Sequence, residues 1–336
     1  MKKGNIIMLT VAVLMGLFNA SCSRLIYDDA DAGNICEIAV RFKYEYNMKY
    51  ADAFANEVNS VTLYVFDPQT GAFVTKVSDA GAHLDEHYTM TLPQLKEGTY
   101  DLIAWCGLVD SKFVVNDPAS KEELLCQITA KTKSDKYVNE HLGSLYYGYV
   151  ENAKLEKLAP GSEKIVVIPL IKNTNSVRVM LQTLNVGTTL LPEDYEFYVE
   201  DINGLVNWRD EIPSGPMSLE YYAWDKKSGT VEYSDGTTLT AVVAEFTLNR
   251  LFNRVTDKTR LKVVDKVIDK TVIDVPIVDY FLLVKGNYNR IMSDQEYLDR
   301  QDDYQIAFFM DNRHGWDISA GIFVNSWHVV LQNSNL

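Results

Sequence analysis

Residues 37–46 alternate with a period of two. Ile38, Val40, Phe42, Tyr44 and Tyr46 fall on one face, while Glu37, Arg41, Lys43 and Glu45 take the other. Only an extended chain lying with one side against a core separates residues this way, so the segment predicts a half-buried strand. The same signature returns along the chain. Val61, Leu63 and Val65 repeat it, and Asp67-Pro68-Gln69-Thr70-Gly71 closes that run with turn chemistry before Phe73 and Val74. Tyr88, Met90 and Leu92 read as a further strand, as do residues 100–106 beyond a Glu97–Gly98 turn. Later strands are predicted at 164–170, 176–181, 195–199, 239–248, 261–264, 272–284, 305–310 and 316–331.

Helical signals are few. A short helix fits around residues 122–127, and a second opens at Ser293, whose hydroxyl can cap the first turn while Glu296 reaches back. Strands do not alternate with long helices, which disfavours a nucleotide-binding α/β fold. Many short strands, frequent Gly, Pro and Asn turns and 11% aromatic residues predict an all-β protein of antiparallel β-sandwiches. Pro169 marks its strand as an edge or a terminal position, and a boundary falls near Asn173. The expected organisation is a leader over 1–21, a tether over 22–35, and two tandem sandwiches over 36–172 and 173–336.

The leader bears on where the chain works. Lys2 and Lys3 precede an apolar run over 6–18, and Asn19-Ala20-Ser21 lead into Cys22. That layout is an export signal with small residues at the cleavage site. Its apolar core is shorter than the roughly 18 residues a spanning helix needs. Cys22 directly after the small residues predicts a lipoprotein signal, although Asn19 stands where a lipobox usually carries Leu. The net charge of −14 disfavours nucleic acid and anionic membrane faces, so membrane attachment would rest on the lipid. Cys36, Cys106 and Cys126 remain beyond the lipid site. In an oxidising compartment one pair could form a disulfide and leave an odd thiol. Cys36 with Cys106 is the expected pair, because both flank or lie in strands, and spacing leaves the alternatives open.

Catalytic signatures are weak. His83 and His87 lie four apart, but Leu84 occupies the place where a zincin helix carries glutamate, and Gly81 weakens a helix there. His141, His314 and His328 have no nucleophile motif beside them, and G-x-S-x-G is absent. Asp29-x-Asp31-x-Gly33 opens like a calcium loop but lacks the later bidentate glutamate. No cofactor, metal site or enzymatic activity is expected. Trp105, Trp208, Trp224, Trp316 and Trp327 could stack on sugars, though such residues more often fill sandwich cores.

Several segments carry a family resemblance. Residues 295–301, Gln-Glu-Tyr-Leu-Asp-Arg-Gln, followed by Tyr304-Gln305-Ile306-Ala307-Phe308-Phe309, resemble the FimB-like fimbrial anchor family of Bacteroidales, lipoprotein subunits of type V pili. So does the closing Ile322-Phe323-Val324-Asn325-Ser326-Trp327, similar to a terminal V-N-G-W strand with Ser326 in place of glycine. Ile26-Tyr27-Asp28-Asp29 after Cys22, residues 100–107 and residues 200–204 fit as well.

The resemblance implies a pair of transthyretin-like sandwiches in an outer-membrane, surface-exposed fimbrial lipoprotein. It also implies strand exchange: a stalk subunit loses its first strand to an arginine-directed cut, and a neighbour's C-terminal strand fills the groove. An anchor keeps both its first strand and its lipid, which ties the fibre to the membrane and limits its growth. No arginine lies between Arg41 and Arg178, so the loop over 47–60 offers such a protease nothing except, for another specificity, Lys49. The C-terminal strand is then the expected partner-binding element, with Phe323, Trp327, Val329 and Leu331 on one face and Ile322, Val324 and Val330 on the other. The alternatives are a tip or stalk subunit and a glycan-binding surface lipoprotein.

Overall fold

The computed structural model describes residues 37–132, 136–157, 165–232, 234–286, 289–311 and 314–329. The leader, Cys22, the tether, Cys36 and Leu331 lie outside the described residues. Within them the chain is all-β, arranged in four sheets with a few short helices. The first sheet has seven strands in the order Phe73–Ala80, Ser60–Phe66, Gly98–Cys106, Tyr146–Leu155, Val166–Lys172, Ala39–Lys43, Met90–Thr91. One face buries Val40, Phe42, Leu63, Val65, Leu102, Ala104, Ile168 and Leu170. Helix α1 (Phe54–Glu57) and the loop carrying Leu84, Tyr88, Leu92 and Leu95 cover that face. The opposite face buries Tyr64, Phe66, Ile103, Trp105 and Tyr147 in a second core. That explains why every residue of Ser60–Phe66 is buried.

The two halves are laced together. Leu205–Asn207 from the second half pairs with Leu125–Ile128 from the first, forming a three-stranded sheet with Phe113–Val115. In return, Lys136–Val138 from the first half pairs with Leu219–Tyr222 in the second half's sheet. The second sandwich packs Val177, Val179, Phe246, Ile306 and Phe308 of one six-stranded sheet against Phe197, Val199, Tyr221 and Val263 of the other. Because of these exchanges, its core runs on without a break into the second face of the first sheet.

Several local expectations give way to tertiary context. The sheets are mixed: Ala39–Lys43 runs parallel to Val166–Lys172, and Asn175–Thr183 runs parallel to Asp303–Met310. Alternation determines which face a residue takes and is silent about a neighbour's direction. Pro169 sits in an interior strand. It is tolerated because the parallel ladder ends at the Lys43–Pro169 pair, while the antiparallel ladder on the other side covers only Leu170 onward. Gly148, opposite Leu170, permits the close approach here, since a Cβ would lie 2.7 Å from Ile168 and 2.8 Å from Leu170. Residues 122–127 form a short 3-10 turn (Lys121–Glu123) and then the strand Leu125–Ile128, because Cys126 and Ile128 are drawn into the shared core. The strand expected over 272–284 stops at Pro276, and helix α2 (Ile277–Leu283) follows. Helix α3 (Asp294–Arg300) is capped as expected: Glu296 N donates to Ser293 Oγ at 3.0 Å. The reciprocal arm differs, because the Glu296 carboxylate accepts from Arg300 Nε at 2.9 Å instead.

Candidate subunit interface

The two ends of the described chain are built in opposite ways. The opening strand, Ala39–Lys43, is paired on both sides, with Val166–Pro169 and with Met90–Thr91. Ile38, Val40, Phe42 and Tyr44 are buried in the first core, each stabilising it by roughly 1.5–3 kcal/mol. Phe42 stacks on Phe54 and Tyr88 at ring separations of 5.9 and 6.3 Å.

The loop leaving this strand is held by its own polar groups. Asp52 accepts from the backbone N–H of Tyr44 at 3.0 Å and of Phe54 at 3.1 Å. Asn47 Nδ2 donates to the carbonyls of Tyr44 and Ala51, each at 2.8 Å. The second half grips the loop as well. The Arg300 guanidinium lies 3.9 Å from the Tyr46 ring centre and 5.2 Å from that of Tyr50. Lys172 Nζ bridges Glu57 at 3.2 Å and Asp302 at 2.6 Å. Burial alone would lower the Lys172 pKa, but the two carboxylates outweigh it and hold the ammonium above its ordinary value.

The other end is a hairpin, which corrects the expectation of one continuous strand. Ile322–Val324 and Trp327–Val329 pair around Asn325 and Ser326, whose φ angles of 45° and 69° suit a two-residue turn with both central residues left-handed. Phe323, Trp327 and Val329 therefore do not share a face. Phe323 stacks with His328 at 4.8 Å and meets Phe309 at 5.7 Å on the outer side of the sheet. Ile322 and Val324 are buried, Val329 is half-buried and Trp327 is 65% exposed. Asn325 ties the turn to the neighbouring strand: its N–H donates to Gln305 O and its Oδ1 accepts from Gln305 N, both at 2.8 Å. Trp327–Val329 is the outermost strand of its sheet, with one ladder side unpaired among the described residues. An asparagine between two apolar triplets was the available signal for the reversal.

Between the two ends lies a buried ionic junction that sequence reading missed, because its members are scattered along the chain. Asp210 accepts from Asn173 Nδ2 at 2.5 Å and from Arg250 Nη1 at 2.8 Å. Arg250 grips Asp299 with two further donors at 2.8 and 2.7 Å, and Gln295 donates to Asp299 at 2.9 Å. Complete burial pushes the Asp210 carboxyl up to about 6, against the lowering effect of Arg250 and Asn173, with nearby Asp299 adding to the rise. This cluster ties the linker at Asn173 to α3, the helix that carries Arg300.

The remaining candidates are dispersed. His83 pairs with Asp79 at 3.0 Å in a loop, and His87 lies exposed beside Glu86. Among the described residues no group of three or more His, Cys, Asp or Glu side chains is placed to hold a metal ion. Cys106 and Cys126 are buried thiols whose pKa values are pushed up by burial. The expected Cys36–Cys106 pairing involves a residue outside the described chain. Trp105 is buried, and Trp316 packs edge-on against Phe308 at 5.2 Å.

Solved structures share the fold. A candidate adhesin of Bacteroides thetaiotaomicron is 28% identical, with a TM-score of 0.78 over 88% of this chain and 98% of that one. A second protein of Bacteroides thetaiotaomicron, described as a polysaccharide-binding candidate, is 27% identical, with a TM-score of 0.70 over 89% and 99%. The fimbrial anchor protein Mfa2 of Porphyromonas gingivalis shares the fold at 18% identity, with a TM-score of 0.62 over 87% and 98%. No curated protein matches the chain. Residues 34–333 match the fimbrillin-A associated anchor proteins Mfa1 and Mfa2, and the chain belongs to that family of fimbria-associated proteins.

Proposed function

We propose that this protein anchors fimbriae to the outer membrane through a lipid on Cys22 and ends their polymerisation there. The observation that carries the reading is the opening strand, whose apolar side chains are buried and whose two ladder sides are both occupied. With that strand in place, its own slot in the first sheet is filled. The exit loop lacks arginine and is held by Asp52, Asn47, Arg300 and the Lys172 bridge, so it is a poor substrate for an arginine-directed protease. The C-terminal segment is the complement. Its exposed Trp327 and free ladder side suit donation to the opened groove of a stalk subunit, where backbone hydrogen bonds give affinity and alternate side chains give register. A subunit able to donate a strand and unable to accept one closes a polymer at one end. In this reading Phe323, Val324, Trp327, Val329 and Leu331 form the partner-binding segment, and Val324 would leave the core on exchange.

Cells carrying Cys22→Ala test the proposal. Their fimbriae are expected in the medium rather than on the cell, and longer than normal. Mass spectrometry of purified fibres should find this subunit beginning at a lipidated Cys22. A mature N-terminus between residues 47 and 60 would overturn the reading in favour of a stalk or tip subunit.

A further inference from the structure

The outer face of the sheet containing Tyr195–Asp201 has a chemistry that anchoring does not use. Along that strand Tyr195, Phe197 and Val199 point into the core, so Glu196, Tyr198 and Glu200 face outward. Tyr222 lies opposite Tyr198 on the neighbouring strand, and the rings stack at 5.4 Å and 25°. Tyr137, on the strand contributed by the first half, meets Tyr222 edge-on at 5.9 Å. Three half-buried tyrosines thus form a ridge across three adjacent strands.

A cavity opens on each side of the ridge. One, of about 300 Å³, is lined by Tyr137, Asn139, Glu196, Tyr222 and Lys226. The other, of about 700 Å³, is lined by Lys136, Glu200, Met217, Glu220, Lys258 and Arg260 among others. Glu196 in the first and Glu200 in the second are four residues apart on one strand, a span of roughly 13 Å at about 3.3 Å per residue. Trp224, 41% exposed, follows Ala223 of the smaller cavity and packs edge-on against His141 at 5.3 Å.

We infer that this face is a binding site for a neutral oligosaccharide lying across the tyrosine ridge. The aromatic rings offer flat, weakly polar surfaces to the C–H faces of sugar rings. The polar groups beside them supply both donors and acceptors, which hydroxyls require. Lys136, Lys226, Lys258, Arg260 and Lys262, whose ammonium lies 5.9 Å from the Tyr198 ring centre, are balanced by Glu196, Glu200, Asp201, Glu220 and Asp257, so the face selects neither a polyanion nor a polycation, although the whole chain carries −14. A cavity on both sides of the ridge favours an extended ligand over a single sugar. The site exists only because Lys136–Val138 crosses into the second sandwich, so its two walls come from both halves of the chain.

The test uses the full chain purified in detergent and a microarray of neutral and acidic glycans, with titration calorimetry on the best neutral binder. Tyr137→Ala and Asn139→Ala are each expected to weaken that binding about tenfold, a loss of about 1.4 kcal/mol, while Val255→Ala, at a position 92% exposed and outside both cavities, leaves it unchanged. Asn139 is exposed, so its variant reports on the site even if the tyrosine variant folds poorly. Retention of acidic glycans alone, absence of any neutral binder, or binding indifferent to both substitutions would overturn the inference. Because sugar binding is read on isolated protein and anchoring on whole cells, either idea can fail alone.

Discussion

The opening strand and the closing hairpin are both short, apolar β-elements, and they behave as opposites. Ala39–Lys43 has neighbours on both sides and a face sunk in the first core. Among the described residues Trp327–Val329 has one neighbouring strand and carries the most exposed tryptophan. The difference teaches that strand propensity says little about role, while ladder occupancy says much. An interior strand is a structural part, and an edge strand is an available one. The far edge of the same sheet, Asp225–Glu232, shows how an edge is closed to partners: exposed Lys227 and Glu232, with half-buried Asp225 and Lys226, discourage pairing, whereas the described part of the hairpin edge, Trp327–Val329, carries no Lys, Asp or Glu.

Three measurements can break or sharpen this contrast. Phe42→Ala removes a ring stacked between Phe54 and Tyr88 and is expected to destabilise the fold by about 3–5 kcal/mol in urea unfolding. A loss below about 1 kcal/mol would mean that the opening strand is dispensable to its sheet.

The second measurement probes the core between the two ends. Asp210 has a folded pKa raised to about 6 by burial, so its contribution is fully present below the unfolded value near 3.8 and is lost as pH rises through about 6. Acidifying from about pH 7.5 to about pH 5 should therefore raise the unfolding free energy by about 1.4 kcal/mol, since pH 5 lies roughly one unit below the folded value. Asp210→Asn should remove its part of that gain, leaving what Asp201 contributes, whose carboxyl is raised by burial in the same direction. An undiminished pH response in the variant would place the effect elsewhere.

The smallest thermodynamic effect belongs to the free end. Trp327→Ala should change stability by no more than about 0.5 kcal/mol, as expected for an exposed side chain. It should nonetheless weaken retention of fimbriae on cells. A large stability loss with intact retention would assign Trp327 to the fold and leave the hairpin without a binding role.

Much of the fold was legible in the sequence. The period-two runs located the strands at 39–43, 60–66, 98–106 and 175–183 because half-burial imposes alternation directly on residue choice. Asp67 is a local success of the same kind, its carboxylate accepting from the N–H groups of Gln69 and Thr70 within the expected turn. The reading of residues 316–331 as one strand failed at Asn325, and that of 272–284 failed after Pro276. In both cases an apolar run looks alike whether it continues, reverses or turns helical, and packing against the second core made the choice.

By itself, the amino-acid order determined the strand-rich class, the faces that turn inward, the capping of α3 and the resemblance to fimbrial anchors, all of which depend on neighbours within a few residues. Tertiary structure alone decided which strands lie parallel, that the halves trade strands, that Asp210, Arg250 and Asp299 meet, and that Tyr137 joins Tyr198 and Tyr222. Those outcomes join residues tens of positions apart, and such pairings are selected by the burial and hydrogen bonding of the whole assembly rather than by any local pattern.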